Sequence, residues 1–326
     1  MKLIRLHSCA FVASMLFAAG ARATVVAPDG SGDFKTISDA LTSGSTDIRI
    51  KSGVYHEHLT IDRPNVHLRG LGAKPQDVVL SYDLSAGTAG GTTKSASVTV
   101  SGDDFYAENL TIENTFTRHH PLTAEGSQAV ALKVTGDRAV FRRVRFLGYQ
   151  DTLYPASKHC DSDSGPCIPA RQYFEDCYIE GHVDFIFGDA MAYFVNCEIH
   201  ALAHNTVMLT AQSRHYADER SGYVFDHCRI TADPGAQHVY LGRPWRAYAT
   251  VVFLNTEMPA AIEAAGWHEW EHNGKPSLPT SFYAEFHSTG PGANPQRRQL
   301  TEAEAAPFGR QQFLAGDDQW NPTKVH

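Results

Sequence analysis

The sequence has no excess of basic residues, and this absence narrows the choice of partners. Its 326 residues include 28 Lys and Arg against 36 Asp and Glu, which gives a formal net charge of −8 at pH 7. A protein that binds nucleic acid needs a basic face to neutralise phosphates. We therefore expect no nucleic-acid partner, although surface acids that aid solubility would produce the same balance.

Long hydrophobic runs and flexible linkers are also missing. The apolar stretch at 10–19 is shorter than the roughly 20 residues that span a bilayer, and it precedes the small residues Ala21 and Ala23. This order is typical of a cleavable export signal. We predict a signal over 1–23, cleavage after Ala23, and a secreted or periplasmic protein without a membrane anchor. No Pro/Ser-rich tract divides 24–326, so this stretch is predicted to be one domain.

A short pattern that begins with phenylalanine recurs along the chain and indicates the architecture. Its fourth position is Val, Cys or Thr, each copy alternates apolar with polar residues, and the copies begin at Phe141, Phe174, Phe194, Phe225 and Phe253, with a longer copy at Phe105. Each copy is too short for a helix and alternates like a strand. Strands that recur every 20 to 36 residues predict an all-β, single-stranded parallel β-helix, whose longer spacings are protruding loops. An ordinary β-sandwich is the alternative.

The few cysteines fall within or near this repeat. Cys177, Cys197 and Cys228 share its fourth position, so their Cα atoms would stack about 4.8 Å apart, within reach of a disulfide. We predict a Cys177–Cys197 bridge, a Cys160–Cys167 bridge that closes an inserted loop, and a free, buried Cys228. A reduced, apolar ladder of thiols is the alternative.

Two aspartates stand among aromatic and aliphatic neighbours, where a carboxylate is costly unless a nearby group uses it. Asp151 lies in residues 148–154 (GYQDTLY), and Asp184 lies in residues 181–188 (GHVDFIFG). Residues 241–245 (LGRPW) add a cation and an aromatic ring. A single aspartate is commonly a solvated turn residue, but two acids, an arginine and a tryptophan in such segments indicate chemistry on a sugar-like substrate.

The environment expected for each acid assigns it a different role. A guanidinium lowers the pKa of a carboxyl group and fixes it through paired hydrogen bonds, so Arg243 would hold Asp184 as an ionised nucleophile. Asp151, poorly solvated and beside another carboxylate, would have a raised pKa and keep its proton at neutral pH. Gln128 and Gln150 carry NH₂ groups that suit a developing oxyanion.

Together these segments resemble the signature motifs of the pectin methylesterases. The similarity extends over about residues 25 to 315, with further matching segments at 92–96 (TTKSA), 128–132 (QAVAL), 205–207 (NTV), 210–214 (TAQSR), 266–270 (GWHEW) and 283–293. The resemblance implies a right-handed parallel β-helix that removes methyl esters from polygalacturonate without a metal or other cofactor. It also implies methyl-esterified homogalacturonan as the partner, and we expect a monomer.

The resemblance implies a role for each matching residue. Asp184 attacks the ester carbonyl and yields an acyl-enzyme, while Asp151 protonates the departing methanol and then activates water. Gln128 and Gln150 form the oxyanion hole, and Arg243 holds Asp184. The residues expected to contact substrate are Thr92, Tyr149, Phe187, Trp245 and Trp267.

The sequence departs from the pectin methylesterase pattern at two places, and it leaves three other functions open. The insertion at 155–171 and His182, beside the nucleophile motif, could alter the substrate pattern, and His182 is interpreted as a loop residue rather than a base. The other functions are an inverting polysaccharide hydrolase, a sugar-binding module without catalysis, and an esterase for another acyl substrate. Methanol release without new reducing ends would favour the methylesterase over the hydrolase.

Overall fold

The computed structural model describes residues 23–120, 126–158, 168–272 and 274–325. Residues 1–22 of the predicted export signal and the predicted Cys160–Cys167 bridge therefore lie outside the described residues. Within the described ranges, no helix has the length and apolar character needed to cross a membrane.

Short strands dominate the described chain. In order they are β1 Thr24–Val26, β2 Asp47–Ile50, β3 Gly53–His56, β4 Leu59–Ile61, β5 His67–Gly70, β6 Val78–Tyr82, β7 Val98–Val100, β8 Tyr106–Asn114, β9 Leu132–Val134, β10 Ala139–Leu147, β11 Leu153–Pro155, β12 Arg171–Glu175, β13 Tyr178–Gly181, β14 Ile186–Gly188, β15 Met191–Val195, β16 Glu198–Ala201, β17 Val207–Met208, β18 Thr210–Gln212, β19 Gly222–Asp226, β20 Arg229–Ala232, β21 Val239–Tyr240, β22 Thr250–Leu254, β23 Glu271–His272, β24 Lys275–Pro276 and β25 Phe282–Phe286.

The helices are short and lie between the strands or after the last one. The α-helices are α1 Ile37–Thr42, α2 Ala86–Ala89, α3 Phe116–His119, α4 Glu302–Ala305 and α5 Arg310–Leu314, and the 3₁₀ turns are Pro75–Asp77, Thr92–Lys94, Leu278–Thr280, Ala306–Phe308 and Pro322–Lys324.

The strands wind into a parallel β-helix, as the repeat predicted. The longest sheet has the order β1-β2-β5-β8-β10-β12-β15-β19-β22-β25, and a second sheet has the order β18-β14-β11-β9-β7-β4. Among the described residues every strand ladder is parallel except the β23–β24 hairpin. Strands of successive coils therefore stack in register, and equivalent residues of successive coils lie in columns along the axis.

The recurring phenylalanines form such a column inside the solenoid. The ring centroids of neighbours lie 4.5–4.9 Å apart, and register pairs them in the order Phe141, Phe174, Phe194, Phe225 and Phe253. Burial of each ring contributes about 1.5–3 kcal/mol. Phe105 touches Phe141 at 5.6 Å, but Ala107 holds the paired position. The first copy is two residues longer than the others, which accounts for this two-residue shift.

A residue in the left-handed conformation turns each coil two positions after the phenylalanine. Its φ is +50° at Arg143, +54° at Asp176, +53° at Asn196, +52° at His227 and +49° at Asn255. Asp, Asn and His adopt this conformation more readily than other residues with a Cβ. The polar third position of the repeat is thus a corner, and the residue after it is directed back into the core.

The predicted Cys177–Cys197 disulfide is wrong, and the alternative of a reduced ladder is confirmed. Cys177, Cys197 and Cys228 are free and buried. Each thiol donates to the carbonyl of a phenylalanine one coil away, at 3.5–3.6 Å. Side chains of in-register parallel strands point the same way, so their Cβ atoms stay about 4.8 Å apart, beyond the 3.5–4.5 Å that a disulfide needs.

The thiol ladder predicts how the protein reacts with an alkylating reagent. Burial raises the pKa of the Cys177 and Cys197 thiols well above the ordinary value, which suppresses the reactive thiolate. Iodoacetamide without reductant should leave Cys177, Cys197 and Cys228 unmodified in the native protein and modify all three after unfolding, as read by peptide mass mapping. A cross-linked Cys177–Cys197 peptide in a non-reduced digest would contradict the ladder.

Candidate active site

The register of two consecutive coils stacks Asp151 on Asp184. Leu153 pairs with Ile186, and the Asp151 amide donates to the Val183 carbonyl at 3.1 Å. The two aspartates therefore occupy equivalent positions, about 4.8 Å apart along the stack. Both have a left-handed backbone, with φ of +65° and +51°, a conformation that Asp tolerates and that is concentrated at functional sites.

Arg243 forms a bidentate ion pair with Asp184. Its Nε and Nη2 lie 2.9 and 2.6 Å from the two carboxylate oxygens. The Arg243 guanidinium also lies over the Trp270 ring, with Cζ 4.2 Å from the ring centroid. Gly242 permits this placement, because a Cβ there would lie 2.0 Å from Thr210 Oγ1. The structure thus contains the ion pair that the sequence predicted.

Burial raises the pKa of both carboxyl groups, but by different amounts. The pKa of Asp151 lies well above its ordinary value, because burial and then the Asp184 charge raise it while Arg243 opposes them. Burial also raises the pKa of Asp184, against hydrogen bonds and charge from Arg243. The expected lowering of the Asp184 pKa is therefore wrong in net direction, since desolvation outweighs the guanidinium. Asp151 still keeps its proton to higher pH than Asp184.

A cleft of about 480 Å³ opens over the two acids. It is lined by Thr92, Thr93, Gln128, Gln150, Asp151, Asp184, Phe187, Ala211, Arg243, Trp245 and Trp270. Phe187 stacks on Tyr154 at 4.4 Å and faces Trp245 at 6.0 Å. The buried Gln128 Oε1 has no hydrogen-bond partner among the described residues. The cleft thus combines two acids, one cation, two amides and an aromatic wall.

Two residues expected to contact substrate do not line this cleft. The Trp267 ring packs on Tyr283 at 4.1 Å and lies 6.0 Å from Phe253. Tyr149 lies beside the His182 ring instead, at 5.7 Å. Trp270 lines the cleft, and it was not predicted from the sequence. Side chains three residues apart in an extended segment point to opposite faces. This alternation is a signal in the sequence that separates Trp270 from Trp267.

His182 is a packed, neutral residue rather than a base. Its Nδ1 accepts the Val183 amide at 2.8 Å, and its ring stacks on His204 at 4.5 Å. Burial, with a contribution from His204, lowers the pKa of His182 to about 4. The interpretation of His182 as a loop residue agrees with this environment.

Comparison with known proteins gives consistent matches over the described chain. The family model described as Pectinesterase matches residues 23–317. The probable pectinesterase/pectinesterase inhibitor 17 of Arabidopsis thaliana is 40% identical over 321 residues, which cover 92% of this chain and 58% of that protein. This chain spans 41–58% of the length of the first four curated relatives.

Two solved structures are similar over nearly their whole length. The pectin methylesterase PemA from Erwinia chrysanthemi superposes with a TM-score of 0.78 and 34% identity, over 94% of this chain and 99% of that one. A pectin methylesterase in complex with a hexasaccharide has a TM-score of 0.77 and 35% identity, over 92% of this chain and 98% of that one.

The close approach at Gly242 predicts a stability effect. In Gly242→Ala the new Cβ would meet Thr210 Oγ1 at 2.0 Å and the Thr210 carbonyl oxygen at 2.7 Å. We expect a loss of about 1–3 kcal/mol in the free energy of unfolding, measured by urea denaturation. The control is Gly235→Ala, whose Cβ would meet the Ala203 Cβ at 3.1 Å and the Ala203 Cα at 4.0 Å. Equal free energies of unfolding for the two variants would show that the close contact between Gly242 and Thr210 does not determine stability.

Proposed function

This chain belongs to the pectinesterase family, and on that premise we propose that it hydrolyses methyl esters of a polygalacturonate chain to methanol and free carboxylates. The observation that carries the proposal is the ion pair of Asp184 with Arg243 beside the buried Asp151, in one cleft. The hexasaccharide bound to one of the similar structures supports a sugar chain as the substrate. Residues 1–23 act as a cleaved signal, and the protein is exported as a monomer.

Asp184 is the nucleophile in the proposed reaction. Its ionised carboxylate attacks the ester carbonyl carbon, and the carbonyl electron pair moves onto oxygen to give a tetrahedral oxyanion. Arg243 keeps the attacking carboxylate charged and oriented through its two hydrogen bonds. When the oxyanion collapses, the bond to methoxide breaks, and an acyl-enzyme remains on Asp184.

Asp151 moves the protons of both steps. Its raised pKa lets it hold a proton that it gives to the departing methoxide. The resulting carboxylate then takes a proton from water, which attacks the acyl-enzyme carbonyl. This second collapse releases the galacturonate carboxyl group, and Asp184 and Asp151 return to their starting charge states.

Gln128 and Gln150 stabilise the oxyanion in this mechanism. Both line the cleft with the two acids, and a neutral amide suits a charge that exists only in the intermediate. Loss of one such donor typically raises the barrier by about 2.7–4 kcal/mol. Phe187 and Trp245 provide the aromatic wall against which sugar rings pack, and Thr92 lies on the same cleft.

Inverting polysaccharide hydrolysis fits the site less well. An inverting enzyme separates its carboxyl groups by about 6.5–9.5 Å to admit a water molecule, whereas Asp151 and Asp184 stack on consecutive coils. An oxocarbenium-like transition state would also gain nothing from two amide donors.

The first test measures methanol and new reducing ends from methyl-esterified polygalacturonate. We expect methanol release without reducing ends, and a loss of at least about 10³-fold in kcat for Asp184→Asn, because the neutral amide is a poor nucleophile. The control Asp233→Asn removes an acid that faces His200, remote from the cleft residues, and should retain activity. New reducing ends, or methanol release unchanged in Asp184→Asn, would exclude this mechanism.

The second test follows kcat/KM against pH. Activity should rise as pH rises through the Asp184 pKa, since the nucleophile must be ionised, and fall as pH rises through the Asp151 pKa, since the acid must be protonated. Arg243→Gln removes the group that opposes the raised pKa of Asp184, so the acidic limb should move to higher pH by about 1–3 units. An acidic limb that stays in place or moves to lower pH would contradict the role of Arg243.

A further inference from the structure

Three side chains with metal-ligating atoms lie close together, none of them lines the cleft, and none takes part in the proposed reaction. Asp189 follows strand β14, while His215 and Glu219 belong to the loop between β18 and β19. His215 Nδ1 lies 4.0 Å from Asp189 Oδ2 and 3.8 Å from Glu219 Oε2. One donor atom from each residue lies within 4.8 Å of the other two.

Two of the oxygens in this cluster are buried and unpartnered. The Asp189 and Glu219 side chains are only 5% and 3% exposed. Asp189 Oδ1 accepts the Ser157 amide at 2.7 Å, and Glu219 Oε2 accepts the His215 amide at 2.6 Å. The other oxygen of each carboxyl group, Asp189 Oδ2 and Glu219 Oε1, has no hydrogen-bond partner among the described residues. A buried oxygen without a partner is unfavourable unless another group binds it.

The nearest arginines do not satisfy these oxygens. Arg214 directs its guanidinium to the Tyr216 and Ala217 carbonyls and to Thr250 Oγ1. Arg246 lies over the Trp245 ring at 4.7 Å and donates to the Trp245 carbonyl. Burial raises the pKa of Asp189, and it stays raised although hydrogen bonds from Ser157 and the charge of Arg246 lower it. Asp189 Oδ2 and Glu219 Oε1 thus lack a hydrogen bond from either arginine.

We propose that Asp189, His215 and Glu219 bind one divalent transition-metal ion, with Zn²⁺ as the best fit. One imidazole nitrogen and two carboxylate oxygens match the donor preference of Zn²⁺, whereas Ca²⁺ and Mg²⁺ prefer oxygen alone. Ligand bonds of about 2.0–2.2 Å place tetrahedral donor atoms about 3.3–3.6 Å apart. The present separations are 4.0 and 3.8 Å for the two measured pairs and at most 4.8 Å for any pair, so each pair must close by about 1.5 Å or less. Water molecules complete the coordination.

The ion would have a structural role at one end of the cleft. Asp189 directly follows β14, the strand that contains Phe187. It also accepts two hydrogen bonds from Ser157. The Ser157 amide donates to Asp189 Oδ1, and Ser157 Oγ donates to the Asp189 carbonyl at 3.1 Å. A metal bound to His215 and Glu219 as well would join Ser157, the cleft strand and the β18–β19 loop. This inference does not depend on the proposed ester hydrolysis.

The test uses the untagged full chain after dialysis against EDTA. We expect isothermal titration with ZnCl₂ to show one equivalent bound per chain and, at about 100-fold excess over Kd, a Tm increase of about 3–6 °C. CaCl₂ and MgCl₂ should bind more weakly, and CoCl₂ should give visible absorption bands from nitrogen and oxygen ligands. Absence of stoichiometric Zn²⁺ binding in the wild-type chain would overturn the proposal.

Isosteric variants identify the ligands. Asp189→Asn and Glu219→Gln each keep an oxygen for the backbone amide that the acid accepts, so both should fold, as checked by circular dichroism, and both should lose the Zn²⁺-induced Tm shift. His238→Ala is the matched control, since His238 pairs with Glu263 at 2.8 Å on the surface, and it should keep the shift. Zn²⁺ binding that survives both isosteric substitutions, as binding by cysteines would, contradicts the assignment.

Discussion

The ion pair between Arg243 and Asp184 resolves an electrostatic problem that the fold itself creates. Parallel coils in register place Asp151 and Asp184 one above the other, both nearly buried. Desolvation and like-charge repulsion each favour the neutral form of such carboxyl groups. Of the two carboxyl groups, only Asp184 is hydrogen-bonded to the Arg243 guanidinium among the described residues, so the two acids have different electrostatic environments although their backbone positions are equivalent. In the proposed mechanism, that difference assigns Asp184 to nucleophilic attack and Asp151 to proton transfer.

The same stacking that builds the core also builds the cleft. Register aligns Lys133 with Tyr154 and Phe187 with Ala211, so the outer face of the second sheet presents a continuous column of side chains along the axis. Most corners of the solenoid have Asp, Asn or His in the left-handed conformation, with Arg143 at one of them, and the two catalytic candidates adopt the same conformation. A backbone feature that turns the coil elsewhere directs carboxyl groups into the cleft at Asp151 and Asp184.

Features that follow from the periodicity of the sequence were predicted correctly, whereas features that depend on side-chain direction, burial or loop conformation were not. The phenylalanine repeat gave the parallel β-helix, and the isolated acids and arginine gave the centre of the cleft. The disulfide was wrong because sequence spacing fixes the Cα separation but not the direction of the Cβ bonds. The direction of the Asp184 pKa depends on burial, which only the folded chain reveals. The cluster of Asp189, His215 and Glu219 depends on loop conformation and left no spacing signal.

Carbon-13 NMR titration of the aspartate carboxyl groups in the full protein tests the central claim most directly. Asp151→Asn and Asp184→Asn would assign the two resonances. The account predicts that Asp151 is still protonated at a pH where Asp184 is ionised, and that Asp184→Asn lowers the Asp151 pKa by removing the neighbouring charge. Ionisation of Asp151 at lower pH than Asp184 would contradict the account.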